Sequence, residues 1–273
     1  MKTWTRRLLL TGGALLAVCC VVCFASFLVL DQPRPTGGEF GDAADAAARE
    51  MIASTNPQAW ANTGAVTWTY GGRYNHLWDR TRNLVRVRKG DFEAFVDIND
   101  RRGTASQAGK ALKGKERDEA VDEAWAAWAN DSFWLNAPNK VFDPGTSRAL
   151  WTQDDGSRVL VVHYKGGGVT PGDTYMWHLD PRGRPVAWQM WVSIIPVGGV
   201  RATWDGWVQL STGAWISTVH SIGPVDITLT DLKGARTLAE LEPGPDPFAG
   251  LIQEVARQRA SLVDSAASSE SSR

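Results

Sequence analysis

The sequence predicts an α+β protein, mainly β: a long antiparallel meander that curls into a half-barrel, helices over its concave face, and an N-terminal transmembrane helix. Three observations predict it. Apolar residues alternate with period two in segment after segment. Turn signals separate those segments at short spacing, which makes consecutive strands antiparallel neighbours. An uncharged run of about 23 residues near the N-terminus is long enough to span a hydrocarbon core of about 30 Å at roughly 1.5 Å per residue.

That run, 8–30, follows Lys2, Arg6 and Arg7 and holds all three cysteines, Cys19, Cys20 and Cys23. Val18 and Val22 stand before Cys19 and Cys23, where lipidation needs a small residue. Only Cys23-Phe24-Ala25 approximates a signal-peptide cleavage site, and apolar residues continue past it. Residues 1–30 are therefore read as an uncleaved signal anchor. The basic residues stay in the cytoplasm and everything after Asp31 lies outside. In a bacterial cell envelope this means inner-membrane anchoring with the domain on the periplasmic side; secretion after cleavage is the alternative. The exported part has no cysteine, so burial and not disulfides must stabilise it.

Residues 31–41, with Pro33, Pro35 and Gly37-Gly38, read as a linker. Asp42 and Asp45 open a helix over 42–55, stopped by Asn56-Pro57. Alternation then takes over: Val66, Trp68 and Tyr70; Tyr74, His76 and Trp78; Phe92, Ala94, Val96 and Ile98. A helix over 115–131 interrupts it, with Val121, Trp125 and Trp128 stacked at i, i+4, i+7. That stripe suits the concave side of a curled sheet. Between Arg158 and Asp231 about six further segments follow, including Val186, Trp188, Met190, Val192 and Ile194, then Val225, Ile227 and Leu229. A meander of eight to ten strands must curl or fold over. A helix over 248–263 ends the domain, 42–263, and the Ser-rich tail 264–273 is expected to be disordered.

Chemistry-bearing motifs are near misses. His163 and His178, on neighbouring segments, are the one histidine pair that could approach, but no H-x-H or H-E-x-x-H spacing exists. Gly145-Thr146-Ser147-Arg148-Ala149 lacks the second glycine of a nucleophile elbow. The stretch 109–116 puts Glu116 where a phosphate-binding loop needs a hydroxyl. The turn 97–103 has Ala108 where a calcium loop needs its last carboxylate. Neither enzyme nor cofactor is expected. Net charge is −1 with pI ≈ 6.4, so no basic field draws nucleic acid.

Fourteen tryptophans are the remaining signal. Many fall on strands: Trp68, Trp78, Trp177, Trp188, Trp191, Trp204, Trp207 and Trp215. So many on one curved sheet imply either an aromatic core or the wall of an apolar cavity.

The stretches "VTWTYGGRYNHLWD" (66–79), "LVRVRKGDFEAFVDIN" (84–99), "AWAAWANDSFWL" (124–135) and "PNKVFDPG" (138–145) resemble the LolA/LolB superfamily of bacterial lipoprotein carriers and its extracytoplasmic relatives. The resemblance covers 42 to about 235. It implies an unclosed β-barrel whose concave face is lidded by helices and takes up acyl chains, without cofactor or catalysis; it carries over no site residue. Trp68, Trp78, Trp125, Phe133, Trp134, Trp188 and Met190 are the expected ligand contacts. The partner is a hydrophobic ligand or lipoprotein acyl chain, with the membrane met through 8–30. A filled barrel acting as an envelope interaction or sensor module is the alternative. Oligomeric state is not legible.

Overall fold

The structure, a computed structural model, describes residues 31–155 and 157–270. The expected transmembrane helix lies outside the described residues. Among those residues, no helix is long and apolar enough to cross a membrane.

The short strand β1 (Glu39–Phe40) leads into helices α1 (Asp42–Ala53) and α2 (Pro57–Ala61). Asn56 separates the helices in the left-handed region, φ 57°, and its side-chain oxygen accepts from the Ala59 amide to cap the second. The first meander comprises β2 (Ala65–Tyr70), β3 (Tyr74–Asp79), β4 (Leu84–Lys89), β5 (Phe92–Asp97), β6 (Arg102–Gln107) and β7 (Lys110–Ala111). Then comes α3 (Gly114–Asn136), with a 3-10 turn at Ala137–Lys140. The second meander comprises β8 (Thr146–Thr152), β9 (Arg158–Tyr164), β10 (Thr174–Leu179), β11 (Pro185–Trp191) and β12 (Val200–Thr203). A hairpin follows, β13 (Val208–Gln209) and β14 (Trp215–Ile216). Strands β15 (Val219–Ile222) and β16 (Val225–Ala235) and helices α4 (Leu238–Leu241) and α5 (Ala249–Glu270) complete the described chain.

Two antiparallel sheets result, ordered β1-β8-β9-β10-β11-β12 and β15-β16-β2-β3-β4-β5-β6-β7. Neither closes on itself. They meet where β12 runs beside β15: Asp205 bridges Val219, His220 Nδ1 donates to the Thr203 carbonyl at 3.0 Å, and the Ser221 amide donates to Thr203 Oγ1.

Period-two alternation places the core. Val85, Val87, Ala94, Val96 and Ala105 project from β4–β6 onto Ala120, Val121 and Ala124 of α3. Their strand neighbours point the other way, where Leu77 and Leu84 meet Phe248, Leu251 and Val255 at the start of α5. In the second sheet, Leu160, Val162, Trp177 and Trp188 face inward onto Met51 of α1 and Trp134 of α3.

Three expectations are corrected. The central helix does not stop at 131 but continues to Asn136, because Asp131, read as a helix-end residue, finds a buried partner instead. Residues 31–41 are not a free spacer: Gln32 is hydrogen-bonded to Gly198 and Trp191, Arg34 to the Gly172 carbonyl, and β1 pairs with β8. The tail expected to be disordered from 264 is helical through Glu270; 271–273 lie outside the described residues.

Candidate functional site: a cavity along the central helix

Because α3 crosses the first sheet and continues toward the second, side chains on its second half are caught between the two. Trp125, Trp128, Ala129 and Phe133 form one wall of a cavity of about 580 Å³. From Trp125 to Phe133 that wall is about 12 Å long, at 1.5 Å rise per residue. Tyr70, Ile222 and Ile227, from the β2 and β15–β16 ends, form a second wall. The ends of β9, β10 and β11 supply Tyr164, Tyr175, Met190 and Val192, and the loops beyond them add Val169, Ile194 and Ile195.

The aromatic geometry fixes Phe133. Its ring stacks on Trp188 at 5.8 Å and 25°, and meets Tyr164 edge-on at 5.5 Å and Tyr175 at 5.1 Å. Trp134, on the next helical position, packs into the core: it meets Trp188 at 4.7 Å and His220 at 5.1 Å. Such contacts add about 0.5–1.5 kcal/mol each to area burial, so the α3 end is held rigidly over the second sheet.

The polar lining comes from Asn130 and Ser132 of α3, from Lys140 and Asp143, and from Thr170 and Asp173. Asp173 Oδ2 accepts from Thr170 Oγ1 and, at 3.2 Å, from Tyr175 Oη. Burial pushes the Asp173 carboxyl above its ordinary value, against the opposing pull of those donors and of Arg34. Burial likewise raises Tyr164 and Tyr175, so both remain neutral phenols. At the rim, Lys140 Nζ lies 3.3 Å from Asp143 Oδ2. An apolar body with a few polar groups fits this distribution.

Beneath the cavity sits a buried polar pair. His76 Nε2 on β3 is 2.7 Å from Asp131 Oδ2 on α3, and Asn130 Nδ2 donates to the other carboxylate oxygen at 3.0 Å. The Trp68 ring stacks over the imidazole at 4.6 Å. The pair fixes the azimuth of α3 on the sheet, and with it which side chains face the cavity.

Of the expected ligand contacts, Trp125, Phe133, Trp134 and Met190 line the cavity. Trp68, Trp78 and Trp188 do not line it. Trp68 is fully buried against His76, Trp78 packs between Trp60 and Trp128, and Trp188 is buried under Phe133 and Trp134. Mid-strand tryptophans are covered by the helix; only strand ends remain open. Tyr164, Asp173 and Tyr175 escaped the sequence reading. The loop between β9 and β10, 165–173, is longer than the two to five residues of an ordinary hairpin, and that length was the available signal. His163 and His178 do not converge. His163 bonds Thr174 at 2.9 Å and His178 bonds Gln189 at 3.2 Å, and they sit at opposite ends of their paired strands. Among the described residues no group of three or more His, Cys, Asp or Glu side chains could hold a metal ion.

The fold and cavity define a mainly antiparallel β protein with helices and open sheets. Comparison with protein-family models gives no match, and comparison with curated proteins gives none. Among solved structures the chain is similar to a DUF1329 family protein from Desulfovibrio piger, with a TM-score of 0.38 and 8% sequence identity, covering 76% of this chain and 97% of that one. A functional reading therefore rests on the chemistry of the cavity.

Proposed function

We propose that this chain is a non-enzymatic, membrane-tethered extracytoplasmic protein that binds a lipid, a lipoprotein acyl chain or another hydrophobic ligand in the cavity along α3. In this reading the two sheets act as one half-barrel and α3 as its lid, as the resemblance to LolA/LolB carriers implies. One observation carries it: a cavity of about 580 Å³ walled by Trp125, Trp128, Phe133, Met190 and aliphatic side chains. Small-molecule sites fall at about 300–1,000 Å³ with mostly apolar walls and a few polar groups.

The alternative, a filled interaction or sensor module, draws on a different observation. Trp177, Trp188 and Trp204 are fully buried in mutual contact within the core of the second sheet. In the carrier reading those residues are the rigid floor on which the cavity is built.

The test is a fluorescent fatty-acid probe titrated into the purified chain, with mass spectrometry of co-purified lipid. Phe133→Asp is expected to weaken probe binding at least about tenfold, since a carboxylate there would be desolvated against the ligand. Val186→Asp, on an exposed strand position, is expected to leave it unchanged. No retained lipid and no probe binding would instead favour the filled module.

A further inference from the structure

The described chain begins at a particular place on the molecule. The Gly198 amide donates to Asp31 Oδ1 at 2.7 Å, the Gln32 amide donates to the Gly198 carbonyl at 3.1 Å, and Trp191 Nε1 donates to the Gln32 carbonyl at 2.8 Å. Gln189 Nε2 adds a bond to the Gln32 side chain at 2.8 Å. Gly198 belongs to the loop between β11 and β12, which also carries Val192, Ile194 and Ile195 of the cavity wall. Four residues of chain span at most about 14 Å, so Gly198, to which Asp31 is bonded, lies within that distance of Ile194.

At this end the cavity rim carries two exposed aliphatic side chains beside the bonded pair Thr170 and Asp173. Ile194 is 68% exposed and Val169, on the β9–β10 loop, is 40% exposed. Both also line the cavity. Around them the chain carries no charge over 192–200 or over 166–169. The other large exposed side chains include Val186 at the far end of β11, about 17 Å along the strand from Trp191. Ile252 is exposed on α5, whose Leu251 and Val255 pack on the outer face of the first sheet.

We propose that the cavity mouth faces the lipid bilayer that the run 8–30 enters, with Val169 and Ile194 as lips in contact with it. A hydrophobic ligand would then pass between bilayer and cavity without crossing water. This placement rests on the reading of a tethered hydrophobic-ligand binder, and it adds the surface that meets the membrane. The occupant is a bilayer and not another protein because the apolar run leaves the domain beside these same lips. A stalk pinned by four hydrogen bonds holds the mouth at a fixed height and angle, which a free linker could not do.

The experiment uses the full chain in phosphatidylcholine vesicles, with Cys19, Cys20 and Cys23 replaced by serine. Single cysteines, Val169→Cys, Ile194→Cys, Val186→Cys and Ile252→Cys, each carry an environment-sensitive fluorophore. Quenching by a nitroxide on the lipid acyl chain, near the headgroup, is then measured at each site. The expected result is at least threefold stronger quenching at 169 and 194 than at 186 and 252. Equal quenching at all four sites, or the strongest at 186 or 252, overturns the placement. So does shielding of 169 and 194 from both lipid and aqueous quenchers, which would mean a second protein surface covers them. Failure of the chain to float with the vesicles overturns both placement and tether. Fatty-acid probe binding to the same labelled proteins is read separately. Its loss with the quenching pattern intact would refute the ligand and leave the orientation standing.

Discussion

Acidification should act on this fold through one histidine at the seam between the sheets. His220 is fully buried, its Nδ1–H donates to the Thr203 carbonyl at 3.0 Å, and its Nε2 has no hydrogen-bond partner. The ring is boxed by Trp204 at 4.6 Å and Trp134 at 5.1 Å. Protonation must therefore place a charge on Nε2 where nothing accepts its hydrogen. Burial lowers the His220 pKa to about 4; the Thr203 carbonyl and Asp205 oppose the shift without overcoming it. In the unfolded chain the value returns to about 6.5. A folded value below the unfolded one means the unfolded state takes up the proton first, so stability is complete above pH 6.5 and is lost as pH falls toward 4. The linkage relation gives a loss of about 2 kcal/mol between pH 7.5 and 5, and about 3 kcal/mol by pH 4. Urea unfolding followed by tryptophan fluorescence at pH 7.5 and 5 measures it. His220→Gln is the reference, since its amide can still donate to Thr203 and does not titrate. The carboxylates titrate alike in both proteins, so the difference between the two pH dependences isolates His220. If the variant loses as much stability as the wild type, within about 0.5 kcal/mol, the account of the seam is wrong.

Three further outcomes test the packing. Gly103→Ala should destabilise by about 1–3 kcal/mol in urea unfolding, because a Cβ would lie 2.2 Å from the Phe95 carbonyl oxygen, with Val121 of α3 3.1 Å away; unchanged stability would mean β5 and β6 are not this close. Asp131→Ala should cost about 3 kcal/mol by leaving the His76 imidazole buried without a partner on either nitrogen. It should also weaken fatty-acid probe binding, since α3 loses its anchor, and a variant with lower stability but intact binding would separate the pair from the cavity. Trp188→Ala should lower the unfolding free energy by about 3–5 kcal/mol, a larger loss than for Phe133→Ala; the reverse order would mean Phe133, not Trp188, is the keystone of the second sheet.

How far the sequence could be read depends on what covers each face. The alternation of Val66, Trp68 and Tyr70 announces a strand and one shared face, and both are found in β2. It does not say that Trp68 lies beneath α3 whereas Tyr70, two positions on, reaches the cavity. Within one strand the periodicity is the same for a core residue and a wall residue. The second sheet hid its geometry differently. Val159 and Val161 point outward to a cluster with Met176 and Trp191, beside the segment bonded at Gln32, while Leu160 and Val162 point inward. Both faces are buried, so the alternation that marks a half-exposed strand is lost.

The stretch 130–136 marks the other limit. Asn130, Asp131 and Ser132 carry the side chains that commonly end helices, because they compete with the backbone for hydrogen bonds. Here that competition is resolved by tertiary contacts. Asn130 bonds Asp131, Asp131 bonds His76, and Ser132 donates back to the Ala129 carbonyl, so the helix runs on to Asn136. The extra turn brings Phe133 over Trp188 and Trp134 against His220. A histidine 55 residues upstream thus decides where the helix ends. Local propensity alone would stop the helix short of Phe133 and leave that end of the cavity without its wall.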